Sequence, residues 1–208
     1  MDQDNNLIVY GAVEGDVDES ALRVLLRSEN IFIGGIFGKK GKDFLRNKVR
    51  NYNNAARFSN WVILVDLDQE QQCAPELVVN WLPQQSPYMF LRVVVRSIES
   101  WLLADKERIA RFLVVPVRDV PDNPENLDDS KLSMINLARK SKSRAVREDM
   151  IPREGSGRKV GPAYNSRLIE FIQDSRKGWR PDVAANNADS LQRCLRVITG
   201  LRTVWYKE

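Results

Sequence analysis

The sequence predicts an α/β fold, with a mostly parallel sheet flanked by helices and a helical C-terminal extension. In the first half of the chain, apolar runs rich in Val, Ile and Leu alternate with segments of helical spacing. These runs are continuous rather than alternating, which is typical of strands covered on both faces, as in parallel sheets. Regular alternation of strand and helix indicates right-handed crossovers between parallel strands.

Each predicted element follows from such a run. Continuous apolar segments predict four strands, at residues 7–13, 31–36, 61–67 and 89–95. Helical spacing predicts helices between and after them, at residues 19–28, 42–52, 76–82 and 98–112. The segment IESWLLADKERIARF, the last of these, has the clearest amphipathic pattern.

The alternation of strands and helices stops after the fourth predicted strand and the helix that follows it. Residues 115–130 are rich in Pro, Asp and Asn, which predicts a linker or long loop. We therefore expect a first domain at residues 1–114 and a basic, mainly helical extension at residues 131–208 that packs on it. Within the extension, helices are predicted at residues 132–139, 164–173 and 190–203, and a flexible Gly-containing loop at 153–162.

Composition excludes several classes of chemistry. The 208 residues contain no histidine, which removes Ser-His-Asp and Cys-His catalysis and imidazole-dependent zinc sites. The two cysteines, Cys73 and Cys194, are too few and too far apart for a disulfide framework. No apolar run approaches the roughly 18 residues of a membrane span, and the acidic start is unlike a signal peptide. We expect a cytoplasmic protein.

The charge is unevenly distributed along the chain. Residues 1–130 contain 15 Lys and Arg against 20 Asp and Glu, whereas residues 131–180 contain 13 against 5. An acidic part followed by a basic segment suits a metal site beside a polyanion-binding surface. A solvated basic face without a ligand is the alternative interpretation.

Three acidic residues stand at the ends of predicted strands. Glu14 follows the first strand in VEGD, and Asp66 and Asp68 end the third in VDLD. In an open parallel sheet, ligands bind beyond the carboxyl ends of the strands. Two carboxylates spaced two residues apart on extended backbone project to the same side and would share a hard cation. Alone, such a pair of aspartates is often a turn or a helix cap.

The order strand, Glu-Gly, helix, strand, helix, strand, Asp-x-Asp resembles the Toprim fold of topoisomerases, primases, recombination proteins and nucleases of the OLD (overcoming lysogenization defect) type. The resemblance covers roughly residues 5–113. It implies that Glu14, Asp66 and Asp68 hold Mg²⁺ or Mn²⁺.

A second resemblance lies in the helix after the fourth strand and in a late G-P-x-Y-N segment. These resemble small stand-alone Toprim-like proteins of bacteria and phages, often encoded beside ATPases in defence or mobile-element loci. The resemblance implies an ABC-type ATPase as a partner, and it makes Glu99, at a helix start, a candidate ligand of a second metal ion. A favourable charge in the first helical turn is the alternative role of Glu99. The matching residues are Arg96, Glu99, Trp101, Asp105, Gly161, Pro162, Tyr164 and Asn165.

Basic residues near glycines are candidates for phosphate binding. The segment GKKGK (residues 38–42) is not a P-loop, because the required first glycine and the Ser or Thr are missing. It would still bind phosphate through backbone N–H groups and Lys39, and Lys42 would stabilise charge during phosphodiester cleavage. Further predicted contacts to nucleic acid come from Arg96 and from the late loop: Arg153, Arg158, Lys159 and Tyr164.

Other users of Asp-x-Asp match less well. Haloacid-dehalogenase-type phosphatases carry it on the first strand, and response regulators carry a single Asp after the third. The sequence therefore predicts a Mg²⁺- or Mn²⁺-dependent nuclease acting on DNA or RNA, with Glu14, Asp66, Asp68, Glu99 and Lys42 as catalytic residues. The alternative is a non-catalytic Toprim-like adaptor that binds an ATPase or nucleic acid.

Overall fold

The chain divides into two compact units. In this computed structural model, residues 7–67 and 73–205 are described, with side chains as far as Leu201. The first unit contains the described residues up to Val94 together with those from Arg193 onward, and the second contains Val95–Gln192. The boundary between the units thus directly follows the fourth strand, and the described residues from Arg193 onward belong to the first unit.

The first unit is an α/β layer structure. Its elements are β1 (Ile8–Val13), α1 (Asp16–Ser28), β2 (Phe32–Gly38), α2 (Lys42–Ala55), β3 (Asn60–Asp66), α3 (Ala74–Trp81) and β4 (Met89–Val94). All strand pairs are parallel, in the order β2-β1-β3-β4. The predicted fold class, α/β with a parallel sheet flanked by helices, is confirmed.

Both faces of the sheet are covered near its centre. On one face, a Cβ added at Gly11 would lie 2.6 Å from Leu22, so the glycine lets α1 approach β1 closely. On the opposite face, the Trp61 ring stacks on Tyr52 of α2 at 5.1 Å and on Tyr10 of β1 at 5.4 Å. This two-sided burial explains why the strands are continuous apolar runs.

The second unit is mainly helical. It contains α4 (Ile98–Leu103), α5 (Lys106–Leu113), α6 (Ser130–Arg139), α7 (Arg144–Met150), α8 (Tyr164–Gln173), α9 (Pro181–Ala184) and the first residues of α10 (Asp189–Trp205). Trp101, Met134, Leu168 and Phe171 are at most 1% exposed and form part of its core. None of the helices in the described ranges is long and apolar enough to cross a membrane.

The structure bears on two predictions about this region. Of the two alternatives for residues 115–130, a linker or a long loop, the structure favours the loop: the segment lies within the second unit, Val120 and Pro124 are buried, and it contains two short 3₁₀ turns. The single helix predicted at residues 98–112 is two helices, because the chain leaves helical geometry at Asp105.

Candidate active site at the carboxyl edge of the sheet

The strand order of the sheet predicts where a ligand would bind. From β1 the chain moves outward to β2 and then returns to the other side of β1 with β3. The place where the chain changes direction in this way is called a topological switch point, and here it lies between β1 and β3. Ligands of open parallel sheets bind in the crevice beyond the carboxyl ends of the two strands at a switch point. Glu14 directly follows β1, and Asp66 is the last residue of β3. Both predicted site residues therefore lie at the switch point.

The side chain of Glu14 reaches across to β3. Its Oε1 accepts a hydrogen bond from the backbone N–H of Asp66 at 2.9 Å. An aspartate carboxylate lies within about 4 Å of its own backbone nitrogen, so the two carboxyl groups are at most about 7 Å apart. Two neighbouring carboxylates supply the oxygen donors that Mg²⁺ prefers, and several waters commonly complete its coordination.

Backbone hydrogen bonds hold the β2–α2 loop beside Glu14. Gly38 has φ +90°, and a Cβ there would lie 2.3 Å from the Val13 carbonyl oxygen. The Lys39 N–H donates to that carbonyl at 2.9 Å, and the Gly41 N–H donates to the carbonyl of Glu14 at 3.0 Å. Only glycine tolerates both this left-handed backbone and this close approach, so Gly38 determines how the basic loop meets β1.

Lys42 lies at the same edge. It is the first residue of α2, and its Nζ donates to the carbonyl of Leu67 at 3.4 Å. Leu67 directly follows Asp66. The structure therefore brings together Glu14, Asp66 and Lys42.

Lys39 points instead to α1. Its Nζ lies 2.9 Å from Oε2 of Glu19. Burial alone would raise the pKa of Glu19, but hydrogen bonds from Lys39 and Arg23 outweigh it and lower that pKa. The same contact raises the pKa of Lys39. Phosphate binding by Lys39, as predicted, would compete with this ion pair.

Asp68 lies outside the described residues. Across the ranges 7–67 and 73–205, no group of three or more acidic or cysteine side chains is arranged to hold a metal ion. The described part of the site is thus the pair Glu14 and Asp66.

Glu99 belongs to the second unit, where it is 2% exposed. It accepts hydrogen bonds from Ser97 Oγ at 2.5 Å and Tyr164 Oη at 3.1 Å, and Lys131 Nζ lies 3.6 Å away. Ser97 also hydrogen-bonds Ser130 at 2.7 Å. We call Ser97, Glu99, Ser130, Lys131 and Tyr164 the polar cluster. Both carboxylate oxygens of Glu99 therefore have partners within its own unit, and its role as a metal ligand stays a prediction.

Sequence reasoning missed Ser97, Ser130 and Lys131. Ser97 carries a usable signal, because serine is common at the N-cap, the position immediately before the first residue of a helix. Ser130 and Lys131 join the cluster only through the packing of α6, which no local pattern reports.

The predicted contact of Tyr164 with nucleic acid requires correction. Tyr164 is the first residue of α8 and is 1% exposed, so its ring and hydroxyl have no surface to offer a ligand. Burial first, and then the neighbouring charge of Glu99, raise the pKa of Tyr164 well above 10. The hydroxyl is a neutral donor to Glu99.

Other residues of the second resemblance also make internal contacts. Trp101 is fully buried and donates from Nε1 to Ser190 Oγ at 2.7 Å. Asp105 is fully buried and accepts from Arg180 Nε at 2.9 Å. A Cβ at Gly161 would lie 2.3 Å from the Asp149 carbonyl oxygen, which explains the glycine.

The remaining predicted phosphate-binding residues have different settings. Arg153, Arg158 and Lys159 are exposed on the loop between α7 and α8, and no acidic side chain of the described ranges forms an ion pair with them. Arg96 is half-buried, has φ +70° and donates from Nε to the Glu125 carbonyl at 3.4 Å. A left-handed arginine is strained, and such strain is often found at functional sites.

Comparison of the chain with known protein families, with curated proteins and with solved structures gives no match.

Proposed function

We propose that this protein is a Mg²⁺- or Mn²⁺-dependent nuclease of the Toprim type. One observation carries the proposal. Glu14, after β1, hydrogen-bonds the backbone of Asp66, at the end of β3, and so gathers two carboxylates at the switch point of a parallel sheet. In a chain without histidine, water is activated by a carboxylate or another side-chain base or by a bound cation, and two neighbouring carboxylates favour the cation.

The residues would divide the work as follows. Glu14 and Asp66 would hold one cation, with Asp68 as an additional ligand, and Glu99 would ligate a second metal ion. A bound Mg²⁺ ion would supply an acidified water and positive charge for the departing oxygen. Lys42, held at the same edge by its bond to Leu67, places a positive charge where the phosphodiester becomes more negative.

The substrate class follows from charge. Exposed Arg153, Arg158 and Lys159 offer cations to a phosphate backbone, and Arg96 is assigned a further phosphate contact. A cytoplasmic location is also proposed. A defence role with an ABC-type ATPase partner rests on the resemblance of the helix after β4 and of the late G-P-x-Y-N segment, and is proposed with that resemblance.

A cleavage assay tests the proposal. Purified protein is incubated with labelled DNA and RNA in Mg²⁺, Mn²⁺ or EDTA. We expect cleavage that requires the metal and falls at least about 100-fold in Glu14→Gln and in Asp66→Asn, since each change removes a metal ligand. Glu76→Gln changes an exposed carboxylate on α3 of the same unit and should leave activity unchanged.

Direct Mn²⁺ binding gives an independent readout. Electron paramagnetic resonance should show Mn²⁺ bound by the wild type and by Glu76→Gln, and weaker binding by the two site variants. A wild type that binds nucleic acid but neither binds Mn²⁺ nor cleaves, with site variants that behave identically, would establish the adaptor alternative.

A further inference from the structure

The outer edge of β2 is unusual for an edge strand. Among the described residues, no strand pairs with its outer side. Its sequence, FIGGIFG, contains no charged residue and no proline, the devices with which proteins commonly block unwanted pairing. Phe32 donates its N–H inward to the carbonyl of Leu7, so the N–H and C=O of Ile33 point outward.

The sheet face opposite α1 is apolar beside this edge. Ile8 is 49% exposed, Phe32 54% and Phe37 45%. Gly34 belongs to the same face, because a Cβ there would lie 2.6 Å from the Tyr10 ring. The register shift between Val9 and Tyr10 places this glycine at a bulge. A strand added to β2 would find apolar contacts on this side.

The α1 face beside the same edge is basic. Arg23 and Arg27, one turn apart on α1, line a surface depression of about 440 Å³ with Asn30 and Ile33. Arg23 is paired with Glu19 at 2.7 Å. Arg27 is exposed, and no acidic side chain within the described ranges forms an ion pair with it. A strand added to β2 would find positive charge on this side.

We propose that the outer edge of β2 binds an extended segment of a partner protein whose side chains alternate between apolar and acidic. Successive residues of a strand point to opposite faces of a sheet. The apolar side chains would contact Phe32 and Phe37, the carboxylates would approach Arg23 and Arg27, and the backbone would bond the outward groups of Ile33. Strand addition gives affinity through the main chain and specificity through the alternating side chains.

Charge favours such a partner over a second copy of this chain. In a two-fold contact, the same patch lies on both sides, so β2 would pair with β2 and both α1 helices would share one face. In that arrangement β2 itself offers no carboxylate to the arginines, because its sequence contains none. A partner strand that carries carboxylates on this face complements the arginines directly.

Fluorescence anisotropy with designed peptides tests the proposal. The probe is a fluorescein-labelled octapeptide that alternates Val and Glu. One control has the same composition in two blocks, and another alternates Val and Lys. We expect the alternating Val–Glu peptide to bind at least about tenfold more tightly than either control, and Arg27→Glu to lower that affinity about tenfold. Arg57→Glu, a charge reversal in the turn after α2, should have no effect.

The backbone contribution is tested separately. Ile33→Pro removes an outward N–H, a change that edge strands accommodate, and should reduce binding of the alternating peptide. A peptide N-methylated at alternate residues probes the same bonds without altering the protein. Equal binding of the alternating and block peptides would overturn the proposal. Equal loss in Arg27→Glu and Arg57→Glu would also overturn it, as would a dimer in sedimentation that excludes the peptide.

Discussion

At the scale of single residues, burial determines the chemistry of Tyr164. Burial and Glu99 raise its pKa well above 10, while an unfolded tyrosine ionises near its ordinary value. The stability contributed through this group is therefore fully present below about pH 10 and is lost as the pH rises through the folded pKa. We expect Tyr164→Phe to remove this alkaline loss, because phenylalanine does not ionise.

Urea unfolding between about pH 8 and about pH 11 measures the effect. The free energy of unfolding should fall less steeply with pH in Tyr164→Phe than in the wild type. The matched control is Tyr88→Phe, because Tyr88 is 38% exposed, and it should retain the wild-type slope. Identical slopes in all three proteins would show that Tyr164 ionises normally.

Arg96 combines a strained backbone with a predicted functional side chain. Its φ of +70° suits glycine better than any residue with a Cβ. We expect Arg96→Gly to be more stable than Arg96→Ala by about 1 kcal/mol, because only the glycine relieves the strain. Urea unfolding compares the two. At Arg92, within β4, the order should reverse, since glycine weakens a strand.

The nucleic-acid affinities of the same variants separate the side chain from the backbone. Both Arg96→Gly and Arg96→Ala lose the guanidinium, so a phosphate contact predicts an equal fall in affinity. A fall only in the alanine variant would indicate that backbone geometry, not the side chain, matters there.

At the scale of elements, an ion pair with a buried carboxylate lies at the break between α4 and α5. Asp105 is fully buried and accepts from both Nε and the backbone N–H of Arg180, at 2.9 and 3.0 Å. Arg180 is 35% exposed, which screens part of the attraction. We expect Asp105→Ala to destabilise the protein by about 3 kcal/mol in urea unfolding, because it removes the buried acceptors of Arg180.

The neighbouring pair of Lys106 and Asp122 provides the control. Asp122 is 85% exposed, so Asp122→Ala should cost less than about 1 kcal/mol. Arg180→Ala, which leaves the buried carboxylate of Asp105 alone, should cost at least as much as Asp105→Ala. Equal small effects for Asp105 and Asp122 would show that burial does not strengthen the inner pair.

The same break shows where sequence reasoning reaches its limit. The spacing of residues 98–112 predicts one helix because local pattern contains no information on Arg180, which lies 75 residues from Asp105. The strands were predictable because two-sided burial leaves continuous apolar runs. The short helices α7 and α9 carry too few apolar repeats to be predicted.

The candidate site divides in the same way. The position of Glu14 and Asp66 at the ends of predicted strands is enough to predict that they lie at the same edge of the sheet. It does not predict that Glu14 accepts a hydrogen bond from the backbone N–H of Asp66. Glu99 contacts Lys131 and Tyr164, which lie 32 and 65 positions away in the sequence, so local residue spacing cannot predict these contacts. Patterns along the chain thus predict where strand ends meet, and packing decides which side chains are buried.

At the scale of the whole molecule, the basic segment at residues 131–180 gives the proposed function its electrostatic test. Each phosphate neutralised by a cation contributes about 0.7 to 0.9 to the slope of log affinity against log salt. We expect the triple substitution Arg153→Gln, Arg158→Gln and Lys159→Gln to reduce that slope by about 2 to 3. These cations are exposed, so their loss should leave the free energy of unfolding within about 0.5 kcal/mol of the wild type.

Fluorescence anisotropy with labelled single-stranded and double-stranded DNA over a range of salt concentrations measures the slope. The matched control replaces three exposed cations of the first unit, Lys48, Arg50 and Arg57, with glutamine. It has the same change in net charge, so a long-range field would alter both variants equally, whereas direct contacts would alter only the loop variant. Equal slopes in the two variants would therefore remove the α7–α8 loop from the nucleic-acid interface.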